Sequence, residues 1–291
     1  MNVSRFEYAA PTTLTEAIGL LSEKGDEARV MAGGTDLLIK IRQGALAPRF
    51  LVGLKKIPEL NRVSFDEGSG LVIGATALLG EVAAHPDVTA NYPAVAFAAR
   101  NTANVQIRNM GTVVGNLCNA SPSADNAPTL LALNAVLTAE SAGGSRELPL
   151  EGFFKGPGLN ALEPAEIVTS VRVPPPAPRS GAAYQFISAR GKLDCSAVGV
   201  GAMVALDGQT CTLARIFVGA CGPTPMRAVK AETLLKGNKL NESLIEKAGI
   251  AAAADTLPIT DVRASEQYRL KMVAVMTMRA LFEAGKKALE S

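Results

Sequence analysis

The hydrophobic pattern of the N-terminal part alternates between helical spacing and short apolar runs. Residues 13–24 have apolar positions at helical spacing behind a threonine, which predicts a capped amphipathic helix. The apolar runs at 50–54 and 70–77 predict short buried strands, and residues 91–103 predict a helix. Residues 104–125 are rich in Asn, Gly and Ser, which predicts a long irregular segment.

The pattern continues with a predicted helix over 126–135 and strand-like stretches at 135–141 and 166–173. The proline-rich stretch "PPPAPRSG" at 174–181 can form neither a regular helix nor a central strand, so it marks a domain boundary. Beyond it, apolar runs predict strands and then helices, an order that favours an α+β domain. These strands cover 182–189, 197–206 and 211–220, and the helices cover about 227–236, 242–254 and 264–288.

The composition changes this picture mainly by exclusion. The chain has 291 residues, of which 48% are hydrophobic and 19% are charged, so it can bury a sizeable core. A net charge of +2 gives no electrostatic argument for binding nucleic acid or a membrane surface. No apolar run has membrane-spanning length, and an acidic residue and a proline stand where a signal peptide needs an apolar block. We therefore expect a cytoplasmic protein.

Side chains for acid–base or metal chemistry are scarce. The four cysteines, at 118, 195, 211 and 221, have the spacing of neither a zinc site nor an iron–sulfur site. The single histidine, His85, precedes a proline, and a lone histidine is more often structural than catalytic. We predict no catalytic residue and no metal ligand in this chain, so that its chemistry depends on a cofactor.

The first candidate site is "VMAGGTDLLIKIRQG" at 30–44, in which a strand ends, two glycines turn the chain and a helix follows. Gly33 and Gly34 allow backbone conformations that a Cβ would forbid. Such a turn directs unpaired N–H groups at one point, where they can hold an anion such as a phosphate. Two interpretations stay open, a phosphate site and a tight connection without ligand, and this stretch alone favours the second.

A second glycine-rich segment, "RNMGTVVGNLCNASPSADNAPTLLALNA" at 108–135, has the same character. Asp125 stands where it either caps the next helix or holds ligand hydroxyls, with capping slightly favoured. Two such segments together favour a ligand that carries phosphate, although neither is a P-loop or the G-x-G-x-x-G fingerprint. The flexible and neutral hydrogen-bonding residues of the segment are Gly111, Thr112, Gly115, Asn116, Asn119, Ser121 and Ser123.

Both segments resemble a known family. "AGGTDLL" at 32–38 and "GTVVGNLCNASPSAD" at 111–125 are similar to the two flavin loops of the FAD-binding medium subunits of molybdenum hydroxylases. That family includes xanthine dehydrogenase, aldehyde oxidoreductase, carbon monoxide dehydrogenase and nicotinate dehydrogenase. The resemblance covers nearly the whole chain and is closest to the separate FAD subunits of bacterial xanthine dehydrogenase type. Further matching stretches are "FFKGPGLNALEPAEIVTSVRVP" at 153–174, "RGKLDCSAVGVGA" at 190–202, "GACGPTPMRA" at 219–228 and "DVRASEQYRLKM" at 261–272.

The resemblance implies an α+β fold with an N-terminal and a C-terminal domain. A PCMH-type FAD-binding domain at 1–176 would consist of two α/β subdomains, at about 1–55 and 56–176. The C-terminal domain, at 180–291, would be of the molybdenum hydroxylase flavoprotein type, an α+β unit with a small antiparallel sheet.

The resemblance also implies one FAD, bound non-covalently, and the residues that hold it. The first loop would line the cofactor with Val30, Met31, Ala32, Gly33, Gly34, Thr35, Asp36 and Leu37. The second loop would hold the pyrophosphate with Thr112, Gly115 and Asn116, and the ribityl chain with Asp125. The remaining implied contacts are Thr102, Ser123 and, near the adenine or the flavin, Ile167 and Val168.

Positions near the implied flavin ring raise two further questions. Many relatives have a lysine where this chain has Phe186, and both Arg190 and Lys192 are open as its replacement. Cys195, in "KLDCSAVGV", either flanks the flavin ring or is an ordinary small residue at the start of a strand.

By this resemblance, the chain is the electron-transfer subunit of a multi-subunit hydroxylase. A molybdopterin subunit, with molybdenum or tungsten, would hydroxylate the substrate, and a small subunit with [2Fe-2S] clusters would relay electrons to FAD. NAD or another acceptor would then receive them. The alternatives are a flavin subunit that passes electrons only to a partner protein, and a stand-alone vanillyl-alcohol-type oxidase. The lack of a covalent-flavin histidine in a suitable loop disfavours the oxidase.

Overall fold

The computed structural model describes residues 5–191 and 194–290. The first sheet of the N-terminal part is parallel. Three strands lie in the order β1-β3-β2, and a helix connects each strand to the next, as parallel pairing requires. The predicted cap of the first helix is confirmed, since the Thr13 hydroxyl accepts the Glu16 N–H at 3.2 Å. The elements are β1 (Glu7–Ala9), α1 (Leu14–Lys24), β2 (Ala28–Met31), α2 (Leu37–Arg42) and β3 (Phe50–Gly53).

The second sheet is antiparallel, and six short helices lie between its strands β5 and β6 in the order of the chain. Its strands lie in the order β4-β5-β10-β6-β7. They are β4 (Val63–Asp66), β5 (Gly70–Gly74), β6 (Val136–Ser141), β7 (Gly144–Pro149) and β10 (Ile167–Val173), with β8 (Phe154–Gly156) and β9 (Leu159–Asn160) pairing separately. The helices are α3 (Leu79–Ala84), α4 (Pro86–Asn91), α5 (Pro93–Asn101), α6 (Val105–Arg108), α7 (Val113–Cys118) and α8 (Asn126–Ala132).

The prediction of an irregular segment over 104–125 was wrong in part, because α6 and α7 lie inside it. Both helices begin at a side-chain cap. Asn104 accepts the Ile107 N–H at 2.8 Å, and Thr112 accepts the Gly115 N–H at 2.9 Å. Helices this short show no hydrophobic period, so only their caps could have signalled them.

The C-terminal part is an antiparallel sheet covered by helices, as predicted. Strands β11 (Ser180–Ser188), β12 (Ser196–Asp207), β13 (Thr210–Gly219) and β14 (Met226–Arg227) follow one another across the sheet. They precede α9 (Val229–Leu235), α10 (Glu242–Ala253) and α11 (Glu266–Glu290). Side chains on one face of β12, among them Val200 and Val204, share a buried cluster with Met276 and Leu281 of α11. Within the described ranges, no helix is both long and apolar enough to cross a membrane.

The other face of β12 packs against α8, which ties the C-terminal sheet to the N-terminal part. A Cβ on Gly201 would overlap the carbonyl group of Pro128, and a Cβ on Gly219 would lie 2.9 Å from the Pro128 ring. The Ala220 N–H donates to the Pro122 carbonyl at 2.7 Å. Coverage on both faces explains why β12 is an almost continuous apolar run. The loop before α8 is therefore positioned by the C-terminal sheet.

Candidate functional site

A cavity of about 530 Å³ opens where the two glycine-rich segments meet. Its size is typical of a pocket for an organic ligand. All sixteen residues predicted to bind the cofactor line it, and they come from four places in the chain. They are Val30, Met31, Ala32, Gly33, Gly34, Thr35, Asp36 and Leu37 at the end of β2 and after it; Thr102 after α5; Thr112, Gly115, Asn116, Ser123 and Asp125 between α6 and α8; and Ile167 and Val168 in β10.

The first loop presents its backbone to this cavity. The six consecutive N–H groups from Ala32 to Leu37 make no hydrogen bond to any described residue. The carbonyl groups of Gly34 and Asp36 are instead used by α2, accepting the N–H groups of Leu38 and Lys40, both at 3.0 Å. Unpaired N–H groups carry partial positive charge and can donate hydrogen bonds to an anionic ligand. The loop can thus hold negative charge without a charged side chain.

The two loops touch through their backbones. A Cβ on Gly33 would overlap the Met110 carbonyl oxygen and lie 2.7 Å from the Gly111 Cα. Gly34 has a φ of +71°, a left-handed conformation that side chains disfavour. The paired glycines therefore have different tasks, since Gly33 provides close approach between the loops and Gly34 provides the turn.

The second loop offers hydroxyl and amide groups. Thr112 Oγ1 accepts the Gly115 N–H, and a Cβ on Gly115 would lie 2.8 Å from that oxygen. The Asn116 Oδ1 accepts from Asn126 Nδ2 at 3.0 Å, whereas the Asn116 Nδ2 donates to no described residue. The hydroxyl oxygens of Ser121 and Ser123 lie 3.3 Å apart on the same wall.

Asp125 does not cap α8, so the capping interpretation was wrong. One carboxylate oxygen, Oδ1, accepts the hydroxyls of Tyr184 at 2.8 Å and Ser196 at 2.6 Å. Desolvation raises the pKa of Asp125, and these two hydrogen bonds oppose the rise. Hydroxyl groups of β11 and β12 therefore bind the carboxylate that could have capped α8. The other oxygen, Oδ2, has no partner among the described residues and is free for a ligand hydroxyl.

The lining carries one described cation, Lys40, which the sequence analysis did not select. Lys40 Nζ donates to the Asn119 Oδ1 at 2.6 Å, so it joins α2 to the second loop. It stands four residues after Asp36 on the same helical face, and that spacing was the available signal.

Four acidic residues also line the cavity: Asp36, Asp125, Glu166 and Asp194. A hydrogen bond from Arg146 lowers the pKa of Glu166.

The sequence analysis left open the roles of Phe186, Arg190, Lys192 and Cys195. Cys195 lines the cavity and is exposed, so its predicted place beside the ring stays a prediction. Phe186 stacks on Tyr184, with ring centroids 5.8 Å apart, and is not part of the lining. Arg190 pairs with Asp194 at 3.2 Å. Lys192 lies outside the described residues, and His85 lies between α3 and α4, away from the lining.

Two family models together match most of the chain. Residues 4–176 match the model of the FAD binding domain in molybdopterin dehydrogenase, and residues 182–284 match that of the CO dehydrogenase flavoprotein C-terminal domain. The chain is 33% identical over 278 residues to a xanthine dehydrogenase FAD-binding subunit of Escherichia coli O157:H7, covering 95% of each chain. It is 33% identical over 277 residues to the carbon monoxide dehydrogenase medium chain of Hydrogenophaga pseudoflava, covering 95% of this chain and 96% of that one.

A solved structure has the same fold. It is carbon monoxide dehydrogenase from Hydrogenophaga pseudoflava lacking the Mo-pyranopterin moiety of the molybdenum cofactor, which superposes with a TM-score of 0.93 at 34% identity and covers 98% of both chains. These findings confirm the resemblance and the α+β fold that it implied. The chain belongs to the FAD-binding medium subunits of the molybdenum hydroxylase family, the family of xanthine dehydrogenase and carbon monoxide dehydrogenase.

Proposed function

We propose that the cavity binds one FAD non-covalently through the sixteen lining residues named above. The observation that carries this proposal is the row of N–H groups from Ala32 to Leu37, which are unpaired among the described residues and belong to a loop that lines the cavity beside the described cation Lys40. Together they can stabilise the two negative charges of a pyrophosphate. The absent side chain of Gly33 keeps that wall closed behind the phosphates, because it lets the two loops touch.

The Asp125 carboxylate serves a different part of the cofactor. Its Oδ2 is free to accept ribityl hydroxyls, while Tyr184 and Ser196 hold Oδ1 still. Negative charge at this point would repel a phosphate, so the pyrophosphate and the ribityl chain are separated along the cavity. This gives the binding site a direction, with phosphate at the N–H groups and hydroxyls at Asp125.

When bound, FAD supplies transfer of one or two electrons at a time. We propose that electrons enter from a partner with [2Fe-2S] clusters and leave to NAD or another acceptor, while a molybdopterin subunit hydroxylates the substrate. Relatives named as a medium chain and as a subunit of a dehydrogenase complex support such partners.

We also propose a cytoplasmic location. The chain would divide into two domains at 174–181, and the two subdomains of the first domain would meet near residue 55.

The test is to express the full chain, precipitate it with acid and analyse the supernatant. FAD released at one equivalent per chain is the expected result. Yellow colour retained in the pellet, or FMN instead of FAD, would contradict the proposal. Bleaching of the bound flavin by NADH supports NAD as acceptor, and a flavin that NADH cannot reduce points to transfer only to a partner protein.

A further inference from the structure

We propose that Asn126, which is outside the sixteen predicted residues, positions the amide of Asn116 so that its NH2 group faces the pyrophosphate of FAD. Asn126 is 1% exposed and does not line the cavity. It acts on the ligand only through Asn116. The inference rests on the proposed FAD site and adds a residue that controls the polarity of that site.

A chain of hydrogen bonds leads from α5 to the cavity. The Thr102 hydroxyl donates to the Ala98 carbonyl at 2.9 Å. The Asn126 Nδ2 donates to the Thr102 Oγ1 at 3.1 Å and to the Asn116 Oδ1 at 3.0 Å. Asn116 stands at the cavity end of this chain, with its own Nδ2 unpaired among the described residues.

The donors and acceptors of this chain have one favourable orientation. With its hydrogen given to Ala98, the Thr102 hydroxyl accepts, so Asn126 presents its NH2 group and uses both hydrogens. The Asn126 Oδ1 is left buried without a described partner. Turning the Asn126 amide over would instead bury an NH2 group with two unpaired hydrogens, which is less favourable than one unpaired carbonyl oxygen.

This orientation determines what Asn116 offers to a ligand. Because its Oδ1 accepts from Asn126, its Nδ2 remains as a donor of two hydrogens. A phosphate accepts hydrogen bonds and does not donate them at neutral pH, so it matches that polarity. Without Asn126, the Asn116 amide is free to turn and direct its oxygen at the phosphate, which is repulsive.

The experiment titrates the apoprotein of the full chain with FAD and with riboflavin, which has the ring and the ribityl chain but no phosphate. We expect Asn126→Leu to weaken FAD binding at least tenfold and to change the affinity for riboflavin less than twofold. In an Asn116→Ala background, Asn126→Leu should have no further effect on FAD. Thr129→Val is the matched control, since it removes a buried, unpartnered hydroxyl one turn later in α8. It should leave both affinities within twofold of wild type.

If the Asn126→Leu variant does not fold, the same titrations are made with Asn126→Ala and Asn116→Asp. We expect the same selective loss of FAD affinity in both variants. Wild-type FAD affinity in Asn126→Leu, equal losses for FAD and riboflavin, or additive losses in the double variant would each overturn the inference. A wild-type chain that binds riboflavin but shows no gain from the phosphates of FAD would overturn the proposed function itself.

Discussion

Gly34 combines a left-handed backbone with crowding at the point where a Cβ would stand. Its φ is +71°, and a Cβ would lie 3.0 Å from the Met31 Sδ and 3.4 Å from the Leu38 Cδ1. A β-branched side chain resists this φ, and its Cβ would crowd the side chains of Met31 and Leu38. Because the free N–H groups lie on both sides of Gly34, strain at this residue changes the directions of the groups proposed to hold the pyrophosphate.

We expect Gly34→Val to weaken FAD binding by more than about 2 kcal/mol while the apoprotein still folds. The loss comes from backbone strain and from lost hydrogen bonds between the loop N–H groups and the charged phosphates. Gly44→Val is the matched control, because Gly44 has a similar φ of +74° with open space around it and lies outside the lining. Flavin fluorescence titration measures the affinity, and circular dichroism measures the fold. Equal flavin occupancy in the two variants at low FAD concentration would contradict this prediction.

Lys40 is the residue at which charge, and not backbone shape, contributes to the site. We expect Lys40→Met to lower FAD affinity about tenfold, the loss of one charge-assisted contact of about 1.4 kcal/mol. The loss should shrink in high salt, which screens the wild-type interaction. Arg42→Met removes an exposed cation from the same helix outside the lining and serves as control. A similar loss from Arg42→Met would mean that net charge, not position, is responsible.

The loop before α8 gives a prediction about pH, since burial raises the pKa of Asp125 above its unfolded value. The ionised carboxylate therefore destabilises the folded apoprotein at neutral pH, and its protonation at lower pH removes that penalty. Asp125→Asn keeps the oxygen that Tyr184 and Ser196 bind and has no charge to bury. We expect it to raise the apoprotein Tm at pH 7 by about 2 °C or more, with a gap that narrows as the pH falls.

Thermal unfolding of wild type and Asp125→Asn from pH 7 to pH 4 measures this gap. The same substitution should weaken FAD binding, because an NH2 group replaces a free acceptor for ribityl hydroxyls. A gap that widens as the pH falls would show that the carboxylate stabilises the fold and would overturn the argument.

The packing of α8 on β12 is the element contact on which the second loop depends. Gly201→Ala places a Cβ into the Pro128 carbonyl group and 2.6 Å from the Thr129 N, so we expect a destabilisation of about 1–3 kcal/mol. Gly19→Ala in α1 is the control, because nothing lies within 4 Å of the added carbon and alanine favours helix. Urea unfolding of both variants gives the comparison. A Gly201→Ala variant as stable as wild type would contradict the prediction, because it would show that this contact accommodates the added carbon without cost.

For the whole molecule, we expect the chain alone to lack hydroxylase activity, with its flavin near a surface that receives an iron–sulfur partner. Xanthine, aldehydes and other heterocycles should leave the flavin of the isolated chain oxidised, while dithionite bleaches it. Addition of the iron–sulfur and molybdopterin subunits should make bleaching depend on substrate. Bleaching by such a substrate in the chain alone would contradict the relay, and a fully active monomer from the native host would contradict the need for partners.

Prediction from the sequence succeeded where a pattern is long or where turn chemistry is local. The helices α1, α10 and α11 were predicted within about two residues of their ends, because each presents several turns of hydrophobic period. The helices α3, α4, α6 and α7 were not predicted, since one or two turns are too short to show a period. The local sequence slightly favoured Asp125 as a cap, whereas the resemblance implied a ribityl contact, and the hydroxyls that bind Asp125 belong to strands far along the chain.

By itself, the sequence determined the two glycine loops, the membership of the family and, through the family resemblance, sixteen of the residues that line the cavity. These depend on backbone freedom and side-chain type, which each residue carries wherever it stands. Only the tertiary structure decided that Gly33 meets Met110, that Lys40 completes the lining, that Tyr184 holds Asp125, and that Asn126 orients Asn116. Each of these contacts joins elements distant in the chain, and it is the packing of α8 between the two parts of the molecule that brings the second loop into place.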